Sequence, residues 1–324
     1  MKAITYSKYG SPDVLRYEEI ENPIPKENEV LVKIHAASLN AYDWRMLRAK
    51  PFIVRFAGGG LLKPKNRILG VDIAGEVEAL GKNVKKFKKG DQVYGDTSGT
   101  GGGGFAEYVC VSENALAFKP ESLSYDEAAA VPLGAVTALQ GLRDNGKIRQ
   151  GQKVLINGAS GGVGTHAVQI AKSFDTEVTA VCSTRNLDMI RSLGADHVID
   201  YTRENFTKNG QRYDLIFAVN GYHPISAYKR ALTPTGVYTV AGGSMAQMFQ
   251  AMLLGPLMSK KDGKKMGAFI AQPNRKDLEF ITELINAGKV KPVIDRSYPL
   301  SQVPDAIRYM EEKHARGKIV INIA

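Results

Sequence analysis

"VLINGASGGVGTHAVQIAKSF", residues 154–174, decides the fold. The stretch "KVLIN" reads as a buried strand, residues 158–164 as a glycine-rich turn, and residues 165–172 as a helix. The familiar dinucleotide fingerprint is G-x-G-x-x-G, and this spacing departs from it: Gly158, Gly161 and Gly164, with an additional Gly162. A phosphate cradle needs a tight turn at a strand end, an unobstructed backbone and a helix whose free N–H groups face the anion. Gly162 stands where the backbone would approach a phosphate, and Gly164 where the helix must pack close to the strand. A plain structural turn is the competing reading. The context favours the cradle, because the turn opens a run of alternating strands and helices.

That run is "KVLING" to "THAVQIAKSF", "EVTAVCS" to "NLDMIRSLG", "HVIDY" to a linker, "YDLIFAV" to "PISAYKRAL", then "GVYTVAG". Nearly all-apolar strands in this rhythm predict a doubly wound parallel sheet over residues 123–268. Before it, "SYDEAAAVPLGAVTALQGL" reads as helix, with Ser124 and Glu127 in capping-box spacing. The first third is different. "EVLVKIHAASL", "VDIAGEVEALG" and "FAEYVCVSENALAFKP" are strands broken by "GSPD", "NPIPKENE", "KKGDQVYG" and "SGTGGGG", which predicts a barrel-like β domain. After about Ala268 come a helix, "RKDLEFITELINAGKV", and a final strand, "GKIVINIA". "KKMGAFIA" reads as a sheet edge.

Composition bounds the function. The chain has 324 residues, 44% of them apolar and 23% charged, as in soluble two-domain proteins. No signal peptide and no membrane span are expected. Cys110 and Cys182 build no disulfide framework and read as packing residues, which points to a reducing, cytoplasmic setting. The net charge of +10 is concentrated in "KNVKKFKKGD" and "KKDGKK". Without interleaved aromatic residues these runs read as solvated loops, and no nucleic-acid partner is expected.

The end of the second parallel strand selects the nucleotide. An acid about 20 residues past the glycine turn would bind the adenine-ribose hydroxyls of NAD and repel a 2′-phosphate. Here that place holds Ser183, Thr184 and Arg185. Hydroxyls and a planar guanidinium suit a phosphate, so NADPH is expected over NADH.

The glycine turn, with "NPIPKENEVLVKIHAASLNAYDW", "LGVDIAGEVEALGKNVKKFKKGDQVYG", "AAAVPLGAVTALQGL", "LGADHVIDY" and "HARGKIVINI", forms a set of motifs in a characteristic order along the chain. The sequence resembles the medium-chain dehydrogenase/reductase superfamily, in its zinc-free quinone-oxidoreductase branch. The resemblance implies an α/β architecture: a GroES-like β-barrel domain from residues 1–122 and 269–324, and a Rossmann domain between them, with the active site in the cleft. It also implies a homodimer, often through sheet edges. Zinc-dependent members place a Cys at the position of Asn40 and a His at that of Val71, so no zinc is expected.

By the same resemblance Asn40 lies beside the nicotinamide ribose, and Thr137 near the nicotinamide and phosphate. Ser160, Gly161, Gly162 and Val163 form the pyrophosphate turn. Ser183, Arg185 and Tyr201 meet the 2′-phosphate. His314, Ala315, Arg316 and Lys318 belong to a segment that folds back on the cofactor, and Asn220, Ala241 and Gly242 flank the nicotinamide.

Without a Lewis acid the feasible reaction is hydride transfer to an acceptor that is already electrophilic, a quinone or an α,β-unsaturated carbonyl. Tyr42 and Asp43 are the catalytic candidates. Tyr42 would donate to a carbonyl oxygen and Asp43 would orient it or relay a proton. Their competing readings are a packing tyrosine and a helix-capping carboxylate. Two apolar segments, 51–66 and 244–266, are candidates for the substrate pocket, and a buried core helix is the alternative for the second. A non-catalytic NADPH-binding redox sensor is the alternative function.

Overall fold

The computed structural model describes the chain except residues 57–59, 244, 313–314 and 324; at residues 53, 245 and 260–262 it describes the backbone alone. In chain order the strands are β1 (Lys2–Thr5), β2 (Arg16–Glu19), β3 (Glu29–Leu39), β4 (Asp72–Leu80), β5 (Gln92–Asp96), β6 (Tyr108–Ser112), β7 (Leu116–Phe118), β8 (Lys153–Asn157), β9 (Glu177–Cys182), β10 (His197–Asp200), β11 (Tyr213–Ala218), β12 (Leu232–Val240), β13 (Lys265–Ala268), β14 (Ile294–Pro299) and β15 (Lys318–Asn322). The α-helices are α1 (Ala41–Arg48), α2 (Tyr125–Ala129), α3 (Pro132–Leu139), α4 (Gly162–Ser173), α5 (Leu187–Ser192), α6 (Ile225–Ala231), α7 (Met245–Leu253), α8 (Gly255–Asp262), α9 (Arg275–Asn286) and α10 (Val303–Glu311).

The chain divides into two units. One comprises Met1–Leu133, Pro273–Asn286 and Pro292–Ala324; the other comprises Gly134–Gln272 and Ala287–Lys291. The first is built on a seven-stranded sheet of order β14-β15-β3-β4-β5-β7, with β6 also paired to β3. Val30, Val32 and Ile34 of β3 turn into a core with Ile73, Val77, Val93, Val111 and Leu116, while Lys33 on the opposite face is exposed. The second unit is a six-stranded parallel sheet of order β10-β9-β8-β11-β12-β13. Its central strands are buried along nearly their whole length, which explains their unbroken apolar runs.

The crossing into the second unit comes at Leu133/Gly134 rather than at 122/123. Residues 123–133 stay with the β unit because α2 packs on β3, β4 and β15, and Asn322 donates to both oxygens of Asp126. The helix expected over "SYDEAAAVPLGAVTALQGL" is interrupted between α2 and α3, just before Pro132, whose ring disfavours a helical residue ahead of it. Residues 287–291 return to the parallel unit because Gln169 grips the Lys291 backbone at both N–H and C=O, 2.8 and 2.9 Å. Gln140 does the same at Gln272, which holds 269–272 there.

Among the described residues no helix is long and apolar enough to cross a membrane. In the basic run 82–91, Lys82, Lys86 and Lys89 pair with Glu27, Glu279 and Glu78, as solvated loops do.

Candidate active site

The parallel sheet reverses its order between β8 and β11, since β9 and β10 add on one side and β12 and β13 on the other. Ligands of doubly wound folds bind at the carboxyl ends of strands beside such a switch point. The glycine turn follows β8 at this place. Its helix begins earlier than expected: α4 starts at Gly162, with Gly161 as N-cap, so the first-turn N–H groups belong to Gly162, Val163 and Gly164. These precede any intrahelical acceptor and form the positive end of the helix dipole.

Each glycine has a different task. Gly158 has φ +87°, and a Cβ there would meet Asn220 at 2.7 Å. A Cβ at Gly164 would lie 2.2 Å from the Gly158 carbonyl oxygen. At Gly161 such a Cβ, its chain neighbours aside, would lie 3.9 Å from the nearest atom among the described residues, so this side of the turn is open there. A diphosphate fits this set of donors and this open approach. The loops after β11 and β12 converge on the same turn. Asn220 abuts Gly158, a Cβ added at Gly243 would lie 3.7 Å from the Asn220 Cα, and Gly242 and Gly243 take φ of +85° and +71°. Ala241 is buried at the end of β12, and Thr137 is buried on α3 of the same unit.

At the end of β9, Ser183 is half-buried, and Thr184 and Arg185 are exposed. Tyr201, just past β10, is 62% exposed. The reading from sequence missed Asp200 beside them. Its carboxylate accepts from Thr184 Oγ1 at 2.5 Å and from the Thr202 N–H and Oγ1 at 3.0 and 2.8 Å, and these bonds, Thr184 first, hold its pKa below the usual value. Both oxygens are thus turned to protein donors.

The β unit carries the other candidates. Asn40 ends β3 and is buried. Its Nδ2 donates to Asp72 Oδ2 at 2.9 Å, and its Oδ1 accepts from Lys318 Nζ at 2.5 Å. Lys318 Nζ also lies 2.8 Å from Asp72 Oδ2, with both residues nearly inaccessible. Asp72 receives Ser38 Oγ on Oδ2 as well, and its Oδ1 caps the Leu133 N–H at the start of α3. Lys318 of the "HARGK" segment is therefore a buried partner of Asn40 and Asp72. In that segment Ala315 is half-buried, Arg316 is exposed, and His314 lies outside the described residues.

Asp43 is a capping carboxylate. It is wholly buried, and its oxygens accept from the Asn40 N–H (2.8 Å) and the Gly70 N–H (2.9 Å). These bonds are those of the competing capping reading, and a group so enclosed is not exposed to a substrate. Burial pushes its pKa up to about 7 against the two N–H donors. Tyr42 is half-buried against the core, and its hydroxyl has no hydrogen-bond partner among the described residues. Burial, with Asp43 and Asp96 nearby, raises its pKa, so it stays protonated at neutral pH.

Asp96 is raised to about 7, first by burial and then by Asp72. A raised carboxyl favours the folded state most below its ordinary value of 3.8, and that contribution fades as pH climbs through 7. An Asp96→Asn variant is expected to show a shallower loss of stability between pH 4 and 7 in urea unfolding; an unchanged slope would refute this.

The donors at the family's zinc position do not suit the metal. Val71 has no ligating atom, and the Asn40 oxygen already faces an ammonium. Among the described residues no group of three His, Cys, Asp or Glu is arranged to hold an ion.

Of the two apolar segments, 51–66 exposes Phe52, Phe56, Leu61 and Leu62. Arg55 lies over the Tyr9 and Phe52 rings, and Tyr9 donates to the Gly60 carbonyl at 2.6 Å. The second segment forms α7 and α8, followed by β13. It is no buried core helix, because Phe249, Met252, Leu253 and Leu257 are exposed while Gln247 and Ala251 face inward.

Two family models match the chain. The alcohol dehydrogenase GroES-like domain covers residues 26–121, and the zinc-binding dehydrogenase domain covers residues 193–321. The chain is 37% identical over 335 residues to a chloroplast envelope quinone oxidoreductase homolog of Arabidopsis thaliana, spanning 99% of this chain and 98% of the relative. The chain belongs to the medium-chain dehydrogenase/reductase superfamily, in its quinone-oxidoreductase branch.

This reductase is also 34% identical over 332 residues to an NADPH-dependent alkenal/one oxidoreductase of the same plant, covering 99% of its own length and 79% of the relative. The solved quinone oxidoreductase from Coxiella burnetii superposes with a TM-score of 0.88 at 31% identity, over 100% of this chain and 99% of that one. The reductase is an oxidoreductase that uses a nicotinamide cofactor. The cytoplasmic setting inferred from its two cysteines does not stand, because several relatives are chloroplast or mitochondrial proteins by name. A low cysteine count reports a reducing compartment and does not distinguish between compartments of that kind.

Proposed function

We propose that this reductase transfers hydride from NADPH to a quinone or an α,β-unsaturated carbonyl, without zinc. The single observation that carries the reading is the unobstructed glycine turn at the sheet's switch point, with Ser183 and Arg185 at the next strand end. In this reading the pyrophosphate lies on Ser160, Gly161, Gly162 and Val163. The 2′-phosphate meets Ser183, Arg185 and Tyr201. Within the parallel unit the nicotinamide is flanked by Asn220, Ala241, Gly242 and Thr137. When bound, the nicotinamide supplies the hydride.

The protein's own task is to orient the acceptor and to stabilise the oxyanion that develops on it. The half-buried, protonated Tyr42 hydroxyl is the proposed donor. Tyr42→Phe is expected to lower turnover while leaving NADPH affinity unchanged; full turnover would remove Tyr42 from the mechanism. Relatives named for quinones and for alkenals and ketones support the acceptor class, and the exposed apolar side chains of 51–66 and α7 support a lipophilic acceptor.

NADPH oxidation measured against a quinone panel and an enal panel tests the proposal. Tight NADPH binding with activity on neither panel would favour the redox-sensor reading. The cofactor preference has its own test. Arg185→Ala is expected to weaken NADPH at least tenfold and NADH little, since a charge-assisted phosphate contact contributes about 1.5–3 kcal/mol. Equal losses would overturn the 2′-phosphate assignment. A homodimer through the β13 edge is proposed as well, to be checked by light scattering. Part of that edge is covered, because the Met266 N–H donates to Ser259 Oγ at 2.9 Å.

A further inference from the structure

Between α1 and β4 the first unit presents apolar side chains to water. Phe52, Phe56, Leu61 and Leu62 are each more than half exposed, Leu62 at 89%. Soluble surfaces seldom gather large apolar side chains so closely without a partner. Local contacts hold these together. Arg55 lies over the Phe52 ring at 5.1 Å and donates to the Leu61 carbonyl at 3.4 Å, and the Phe52 and Phe56 rings meet edge to face at 5.6 Å. The Gly60 N–H donates to the Arg55 carbonyl at 3.0 Å. A Cβ at Gly60 would run into the Lys63 carbonyl and lie 3.1 Å from the Lys65 nitrogen, so the backbone of both lysines passes beside the apolar group.

The charges around it have one sign. No Asp or Glu occurs between Asp43 and Asp72. Two carboxylates approach from elsewhere, and each is taken: Glu311 by Arg48 at 2.7 Å and Glu18 by Arg67 at 3.6 Å. Lys50, Lys63 and Lys65 are exposed and form no ion pair among the described residues. The run 82–91 differs, since Lys82, Lys86 and Lys89 each hold a glutamate.

Cations without counter-charges attract an anionic surface, and apolar tips among them need an apolar layer beneath it. A peptide is recognised in a groove, and Leu62 is too exposed to line one. A bilayer takes projecting side chains at its headgroup boundary without a complementary pocket. Lysine stems lie along the acyl layer while their ammonium groups stay at the headgroups. A second copy seated by the same face would bring cations to cations, with no free carboxylate between them.

We propose that residues 50–56 and 60–65 dock this reductase on an anionic lipid bilayer, with Phe52, Phe56, Leu61 and Leu62 at the acyl boundary and Lys50, Lys63 and Lys65 among the headgroups. The docking is peripheral and needs no nucleotide. Taken with the acceptor reading above, it puts the reductase where lipophilic acceptors dissolve.

Flotation of the full chain with vesicles, in the absence of nucleotide and quinone, tests the docking. Equimolar phosphatidylcholine and phosphatidylglycerol are expected to bind it at least about tenfold more tightly than phosphatidylcholine alone, and less as salt rises. Lys63→Glu/Lys65→Glu and Phe56→Ser/Leu62→Ser are each expected to weaken binding at least about tenfold. Their side chains are exposed, so both variants are expected to melt within about 2–4 °C of wild type. Leu62→Trp keeps an apolar tip and reports insertion directly. Brominated acyl chains are expected to quench its fluorescence beyond that of wild type, whose one tryptophan is Trp44.

Equal affinity for neutral and anionic vesicles, or no added quenching in Leu62→Trp, would overturn the proposal. So would full binding by Phe56→Ser/Leu62→Ser, which would reduce the contact to adsorption of charge. Binding to polyglutamate but not to the anionic vesicles would give the face to an acidic polypeptide. A change of solution mass in Phe56→Ser/Leu62→Ser, with vesicle binding intact, would give it to a second copy. Since no readout requires NADPH or an acceptor, the function proposed above stands or falls separately.

Discussion

Gly161→Val is expected to lower the melting temperature by no more than about 2–4 °C and to bind NADPH at least a hundredfold more weakly, a loss of about 2.7 kcal/mol. The residue is the N-cap of α4 with φ −86° and ψ 176°, an extended conformation open to any side chain. Its Cβ would find no protein atom closer than 3.9 Å. The fold therefore does not resist the substitution sterically, and the poorer N-cap costs only about 1 kcal/mol. The added methyl groups instead occupy the space in front of the Gly162, Val163 and Gly164 N–H groups, where a phosphate must come within hydrogen-bonding distance. Differential scanning calorimetry and fluorescence titration read the two halves of this expectation separately. Unchanged NADPH affinity would mean that no phosphate rests on this turn.

Gly164→Ala has the opposite signature. Its Cβ would lie 2.2 Å from the Gly158 oxygen and 2.6 and 2.7 Å from the Ala159 C and Cα, all backbone atoms that no rotamer change can move. The helix would have to lift from the turn beneath it. Overpacking of this kind costs roughly 3 kcal/mol or more. For a unit of this size that is a fall in Tm of roughly 6–12 °C. A melting temperature within a degree of wild type would show that the turn and helix are not packed as described.

The glycine pair also marks what sequence could convey. Gly158, Gly161 and Gly164 were legible because a strand, a turn and a helix lie within one short stretch, and their spacing is a local property. The alternation of Val30, Val32 and Ile34 and the unbroken apolar runs of the parallel strands were legible for the same reason. The start of α4 was misjudged because glycines in its first turn look like loop. The Asn40 corner was not legible. Lys318 and Asp72 are 246 positions apart, and only the pairing of β15 and β4 on either side of β3 brings them together. A signal was present in each: a lysine heading "KIVINI" and an acid within "VDIAG", charges set in strands otherwise buried. Asp43 was ambiguous because a capping carboxylate and a catalytic one are the same residue type at a helix start. Only its enclosure separates them.

The sheet position of β15 has a consequence for biosynthesis. This strand leaves the ribosome after the whole parallel unit, yet it lies beside β3, which leaves before that unit. Until it arrives, nascent β3 has a vacant edge, Asp72 a carboxylate without its ammonium, and Asn40 an amide free to turn. The whole parallel unit is translated in that interval. Loss of β15 would therefore injure a corner formed at residues 38–72.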